Sequence, residues 1–293
     1  MKKLFITLLI LFLFCSVTAA YADNSATVVV GADLSADDIN TVYSTFGITR
    51  GSVPELYVTN SEEHALLDGF VSADVIGSRS VSCVFVRILP PGSGVSVRTS
   101  NITWCSPEIY RNVLVTAGIT DADVIITSPF PVSGTAALAG IYKAYEITSG
   151  VTISQELRDI TTQELTISGE LAQQIGSMDT AEIVNALKLI LNETVNMTDE
   201  ELSAQIDSIA AQYNVSLNDS QKSKLIALCR SMEALDSENL AAKVESLKQT
   251  ISTIGQTTQQ LSQYAETAGE FIGKVAGGFQ KVVDFFSSLF NRQ

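Results

Sequence analysis

At Gly150 the sequence changes character, and this change limits the folds open to the chain more than any other feature does. Upstream, short runs rich in β-branched residues alternate with helical stretches, the pattern of a sheet with helices packed on it. Downstream the strand signals stop, and Gln, Glu, Leu, Ile and Ala take over in an all-helical region.

The upstream part reads as βαβαββαβα. Residues 27–30 predict a strand, and Ser35 with Asp38 predicts a capped helix that stops at Phe46 and Gly47. A strand over 55–59 precedes Asn60 and Glu63, read as the cap and third residue of a short helix ending near Gly69. Residues 81–89 and 95–102 flank Pro90-Pro91-Gly92-Ser93-Gly94, which predicts a β-hairpin with a five-residue turn. Ser106-Pro107-Glu108 opens a helix that runs to Gly118, with proline at its first position. A last strand over 124–127 leads through residues 129–134 into a helix over 135–145. The expected fold is a mixed α/β domain over residues 23–150, a mixed sheet with packed helices.

In the downstream part, Asp179 with Glu182 and Thr198 with Glu201 read as capping-box starts, and Ser220 or Asn218 opens a helix to about Leu235. Short connections favour antiparallel packing. From Leu240 to Leu289, apolar or small residues recur in strict 4-3 spacing, a seven-heptad seam that predicts a long coiled-coil-like C-terminal helix. Gly277 and Gly278 predict a break in it, since each glycine costs roughly 1 kcal/mol relative to alanine in a helix interior. The organisation is therefore an α/β domain (23–150), an acidic helical region (151–237) and a heptad helix (238–293).

The first residues stand apart from all three. Lys2 and Lys3, an apolar run over 4–14 and Ala20-Tyr21-Ala22 form the pattern of an export signal over residues 1–22, with Asp23 as the mature N-terminus. Cys15 follows Phe14 rather than a small residue, so no lipid attachment is expected there. No later run reaches the roughly 18 apolar residues of a membrane span. The expected location is outside the cell, at the extracellular face of the envelope. Without its leader the chain carries 16 basic and 32 acidic side chains, net −16, which speaks against nucleic acid as a partner. The surplus acid lies entirely in residues 23–237. The last 56 residues are neutral and hold five of the nine phenylalanines that follow the leader.

Four stretches carry a family likeness: Val28-Val29-Val30-Gly31-Ala32-Asp33-Leu34, Val58 to His64, Asn101-Ile102-Thr103-Trp104, and Ser128-Pro129-Phe130-Pro131-Val132-Ser133-Gly134-Thr135-Ala136-Ala137-Leu138. They resemble the YpuA-like family of exported Gram-positive bacterial proteins, a domain of unknown function. The resemblance covers about residues 25–235, and the run from Pro129 to Leu138 is its most specific part. It implies an exported, envelope location and brings no catalytic residues.

The residues themselves narrow the chemistry. His64 is the single histidine, which removes His-rich metal sites and mechanisms that need two imidazoles. No Gly-x-Ser-x-Gly elbow and no Ser-x-x-Lys dyad is present. Ser133 with His64 is the one nucleophile and base pair to name, and a solvated helix face is the plainer reading of His64. The 129–138 loop is the best binding candidate. Ser133, Gly134 and Thr135 precede a helix N-terminus whose free N–H groups could hold an anion, although a rigid connection capped by Ser133 explains the same residues. It has neither the lysine of a P-loop nor a dinucleotide fingerprint, so no cofactor is expected. Asp37 and Asp38, or Asp121 and Asp123, read as caps and solvated acids rather than a calcium loop. Five Asn-x-Ser/Thr triplets, at Asn101, Asn192, Asn196, Asn214 and Asn218, are chance matches in a Ser/Thr-rich bacterial chain.

Three cysteines follow the leader, Cys83, Cys105 and Cys229, so at least one has no partner within the chain. A Cys83–Cys105 disulfide and buried free thiols are both open. In the tail, Ile272, Val275, Phe279, Val282, Phe286, Leu289 and Phe290 form an apolar face with Lys274, Lys281 and Arg292 nearby. Such a face serves self-association, packing on the helical region, or contact with a membrane surface. The leading functional expectation is a secreted, envelope-associated, non-catalytic binding or structural protein whose small-molecule ligand the sequence does not identify. The rival is an extracellular hydrolase of wall polymer or peptide that works through Asp and Glu carboxylates.

Overall fold

The computed structural model describes residues 25–235. In the α/β part, β1 (Ala26–Gly31), α1 (Ala36–Phe46), β2 (Glu55–Val58), α2 (Asn60–Leu67), α3 (Ala73–Ile76), β3 (Cys83–Ile88), β4 (Val95–Ile102), α4 (Pro107–Thr116), β5 (Ala122–Val132) and α5 (Ala136–Ser149) follow in chain order. The five strands form one mixed sheet in the order β2-β1-β3-β5-β4. β1 and β2 are parallel, β4 and β5 are parallel, and β3 runs antiparallel to both of its neighbours.

The expected hairpin of β3 and β4 does not form, because β5 lies between them. Burial explains the order. Val124 to Ser128 of β5 are all buried, as are Cys83 to Val86 of β3, so both strands need a covered face on each side. In β4 the exposed Ser96, Arg98 and Ser100 alternate with more buried Val95, Val97 and Thr99, a pattern that suits an edge. The connection between β3 and β4 spans two strand spacings, roughly 10 Å, and is tied to the start of β5. Leu89 N–H donates to the Asp121 carbonyl at 3.0 Å, and Gly94 N–H donates to the Asp121 side chain at 3.0 Å.

α1 covers one face of the sheet, where Ile39, Val42, Tyr43 and Phe46 meet Val28, Val30, Cys83, Phe85 and Ile125. α2, α4 and α5 cover the other, where Leu67, Ile109, Val113, Leu138, Ile141 and Tyr142 meet Val29, Val84, Val86, Val124 and Ile126. Ser35 caps α1 in a capping box with Asp38, and Gly47 ends it in the left-handed conformation at φ 70°. Ser106 caps α4 behind Pro107, as expected. α2 differs by one residue. Thr59 is its cap and Glu62 completes the box, in place of Asn60 and Glu63. That shift leaves Glu62 at the surface and turns Glu63 inward.

The helical part comprises α6 (Gln155–Ile175), α7 (Ser177–Lys188), α8 (Leu191–Thr194), α9 (Asp199–Gln212) and α10 (Asp219–Leu235). Thr198 with Glu201 caps α9 as a reciprocal box, and Asn218 exchanges hydrogen bonds with Gln221 at the start of α10. α7 begins ahead of Asp179, at Ser177, so Asp179 and Glu182 lie within the helix rather than form its box. Ile183, Leu187, Leu202, Ile206, Leu225, Leu228 and Met232 build a second core, to which α6 contributes Ile160, Ile167 and Leu171. The same helix gives Leu165 to the α/β core and brings Gly169 against Trp104. A Cβ at Gly169 would lie 2.8 Å from the indole, so the close approach needs glycine there. The heptad seam from Leu240 lies outside the described residues.

A buried polar network fastens the two parts. Lys188 of α7 donates to the Asn112 carbonyl and the Thr116 hydroxyl of α4 and to Glu164 Oε1 of α6, at 3.1, 3.2 and 3.0 Å. Asn185 donates to Asn112 Oδ1, and Asn112 donates to the Ala181 carbonyl. The Lys188 and Glu164 side chains are 1% and 0% exposed. Removing one charge strands the other without water, which typically costs about 3–5 kcal/mol, whereas replacing both with apolar groups is often neutral. K188M should therefore lower unfolding stability in urea by about that amount, and E164M/K188M should recover most of the loss. A K188M protein within about 1 kcal/mol of the parent would refute the role given to the pair.

Candidate functional site

β1, β2, β4 and β5 all end at one edge of the sheet, where open α/β folds usually place their ligand loops. The turn after β5 is shorter than expected, because Pro129, Phe130, Pro131 and Val132 continue the strand and only Ser133 to Thr135 connect it to α5. Gly134 sits at φ +97°, and its carbonyl accepts a hydrogen bond of 2.7 Å from the buried Tyr110 hydroxyl. A Cβ there would lie 2.5 Å from Ile102 Cγ2. Thr135 occupies the cap position of α5, and no side chain caps that helix, so Ser133 does not have the capping role expected of it. Ser133 Oγ instead lies 3.1 Å from Thr135 Oγ1, and Thr135 Oγ1 donates to Glu63 Oε1 at 2.6 Å.

Glu63 is thus the buried acceptor at this turn. Burial pushes its carboxyl above the usual range, and the hydrogen bonds from Thr135 and Asn60 oppose that rise. It sits beside the start of α5, where the helix dipole favours negative charge. The turn that the sequence offers for an external anion already has a carboxyl of the protein itself.

A concave feature lies one helical turn further on. A cleft of about 300 Å³ opens between the end of β2, α2, α5 and the first turn of α6. It is lined by the apolar Val58, Ala65, Leu66 and Ala139, by the charged Glu62, Lys143, Glu146 and Arg158, and by Gln155. Ala139, Lys143 and Glu146 fall on one stripe of α5, and Glu62, Ala65 and Leu66 on one stripe of α2, as helical spacing of three and four dictates. Lys143 pairs with Glu62 at 2.7 Å and donates to the Tyr57 carbonyl at 2.6 Å. Arg158 pairs with Glu146 at 2.6 Å, donates to the Ile153 carbonyl at 3.2 Å, and lies over the Tyr142 ring at 5.2 Å. Burial would raise the Glu62 carboxyl, but hydrogen bonds from Lys143 and Thr59 outweigh it and hold the group below its ordinary range.

Residues 129–138 do not line this cleft. Sequence reading missed it because Lys143 and Glu62 meet across 81 positions and Arg158 and Glu146 across 12. One local signal was available: Lys143 is the single lysine in residues 23–150, three residues from Glu146 on a helix already expected there.

The other named residues fall as follows. His64 stands on α2, with Nδ1 at 2.7 Å from Asp68 and Nε2 at 3.2 Å from the Gly77 carbonyl. Cys83 and Cys105 do not form a disulfide; Cys83 belongs to the core beneath α1 and Cys105 to the core on the opposite face of the sheet. Burial pushes the Cys83 and Cys229 thiols up to about 12 and the Cys105 thiol higher still, so none is a reactive thiolate. Asp38 serves the α1 cap, Asp121 holds the start of β5, and Asp123 pairs with Arg98 across β4 and β5 at 3.0 Å. Among the described residues, no three His, Cys, Asp or Glu side chains are grouped to hold a metal ion, and no helix is long and apolar enough to cross a membrane. Ile272, Val275, Phe279, Val282, Phe286, Leu289 and Phe290 lie outside the described residues.

Comparison with known proteins agrees with the likeness read from the strand and loop motifs. The chain is 36% identical over 267 residues to the uncharacterized protein YpuA of Bacillus subtilis strain 168, covering 90% of this chain and 87% of that protein. No solved structure matches it. Residues 30–254 match the family model described as a protein of unknown function, DUF1002, and the chain belongs to that family.

Proposed function

We infer that the protein is exported and acts at the cell envelope as a non-catalytic binding protein, with its C-terminal heptad helix serving self-association. The observation that carries this reading is the state of the cleft: each of its two carboxylates is paired with a cation from another helix. A carboxyl-based hydrolase needs one group that keeps its proton near neutral pH. Glu62 is shifted the other way. Among the described residues, the carboxyls with raised values are not in the cleft lining: Glu63 is buried beside Thr135, and Glu182, pushed up to about 7 by burial, stands beside Arg111 and Asp179.

His64 is not among the residues that line the cleft. Its Nδ1 lies 2.7 Å from the Asp68 carboxylate and its Nε2 3.2 Å from the Gly77 carbonyl, two acceptors that favour the protonated ring. The Asp68 hydrogen bond, then the Gly77 carbonyl, raise its value above the ordinary histidine range. Because the folded-state value is raised, this contact supports the fold below the unfolded-state value and fades as pH rises through the folded one. The leader pattern and the surplus of acid over residues 23–237 support the envelope location.

Four measurements check this reading. The exported form, incubated with purified bacterial cell wall, should co-sediment without releasing soluble amines or reducing sugar. Product release abolished by E62Q or E146Q would establish the hydrolase instead, and failure to co-sediment would remove the envelope role. The single histidine should titrate by NMR with a midpoint above about 6.5, and D68N should bring it down; a midpoint at or below that value would contradict the effect given to Asp68. Light scattering should give the exported form a mass above that of a monomer, and a chain ending at Thr267 a lower oligomeric state. Equal states would end the self-association claim, and liposome flotation lost only on truncation would assign the tail to the membrane.

A further inference from the structure

The charges of the cleft are balanced, and their arrangement selects among ligands. On α5, Lys143 and Glu146 present a positive and a negative group one turn apart, and each is matched by an opposite charge from a different helix, Glu62 of α2 and Arg158 of α6. A simple anion attracted to Lys143 or Arg158 also meets Glu62 and Glu146, and a simple cation meets the converse. A molecule with an ammonium and a carboxylate can satisfy one cation and one carboxylate of the site together.

The site can also exchange partners. Lys143 and Glu62 are 34% and 47% exposed, and Arg158 and Glu146 are each 23% exposed, so both pairs still reach water. The Lys143–Glu62 pair is exposed enough to hold weakly, and Glu146 also accepts from Ile153 N–H at 2.7 Å, so it keeps a partner when a ligand carboxylate takes its place on Arg158. Arg158 is pre-positioned for this by the Ile153 carbonyl and the Tyr142 ring, which fix its planar fork without using all its donors. The same lining includes the small apolar surfaces of Val58, Ala65, Leu66 and Ala139, against which small apolar side chains fit better than polar ones. About 300 Å³ is at the lower end of the range for small-ligand sites.

We propose that this cleft binds a short peptide with free amino and carboxyl ends and small apolar side chains, its carboxylate on Arg158 and its ammonium on Glu62. The proposal rests on the reading of the protein as a binder. Calorimetry on the exported form should show saturable binding of alanyl-alanine and at least tenfold weaker binding of its N-acetylated, C-amidated form. R158M and E62Q should each weaken the free dipeptide at least tenfold and leave the blocked one unchanged, with thermal unfolding confirming that both variants fold. Equal binding of free and blocked dipeptide, or full affinity in a folded R158M, overturns the proposal. The same mixtures are assayed for free alanine. Binding with hydrolysis keeps the site but ends the non-catalytic reading, whereas no binding by a protein that still sediments with cell wall ends the site and keeps that reading.

Discussion

The double-sided burial of β5 organises the rest of the molecule. A strand with Val124, Ile125 and Ile126 all buried must lie inside the sheet, and once it lies between β3 and β4 the other positions follow. β4 becomes an edge, β3 is held antiparallel between two parallel pairs, and α5 leaves the edge where β1 and β2 also end. α5 then packs across the sheet toward α2, which is what allows Lys143 to reach Glu62 and Glu146 to reach Arg158. The cleft is thus a consequence of strand order more than of any local motif.

Local chemistry was legible in the sequence where it is self-contained. The Ser35 box, Pro107 behind Ser106, the Gly47 stop and the Thr198 box each need only four or five neighbouring residues, and each appears as read. The errors share a cause. Asn60 and Thr59 are both good caps, and the choice between them is made by which glutamate the core can accept near Thr135, information that lies 72 positions away. The hairpin failed for a similar reason, since two strands joined by a Pro-Gly turn are natural neighbours until a more apolar strand competes for the place. The alternating pattern of 95–102 already marked it as half-solvated, and that pattern is a better guide to sheet position than the turn beside it.

The boundary at Gly150 is sharp in sequence and blurred in three dimensions. α6 has one stripe in each core, and the Lys188 network reaches from α7 through α6 to α4. Burial of a matched pair adds little net stability but strongly disfavours any arrangement that leaves one member alone. Such a joint specifies how α6 and α7 seat on α4, and through α6 it fixes where Arg158 stands beside α5.

The three thiols of the described residues add a different consequence. Each is sealed in packed interior and held protonated, two of them on opposite faces of one sheet and the third in the helical core. Over residues 25–235 the fold therefore rests on packing alone at these three positions, and no bond between sulfurs has to form before either core closes.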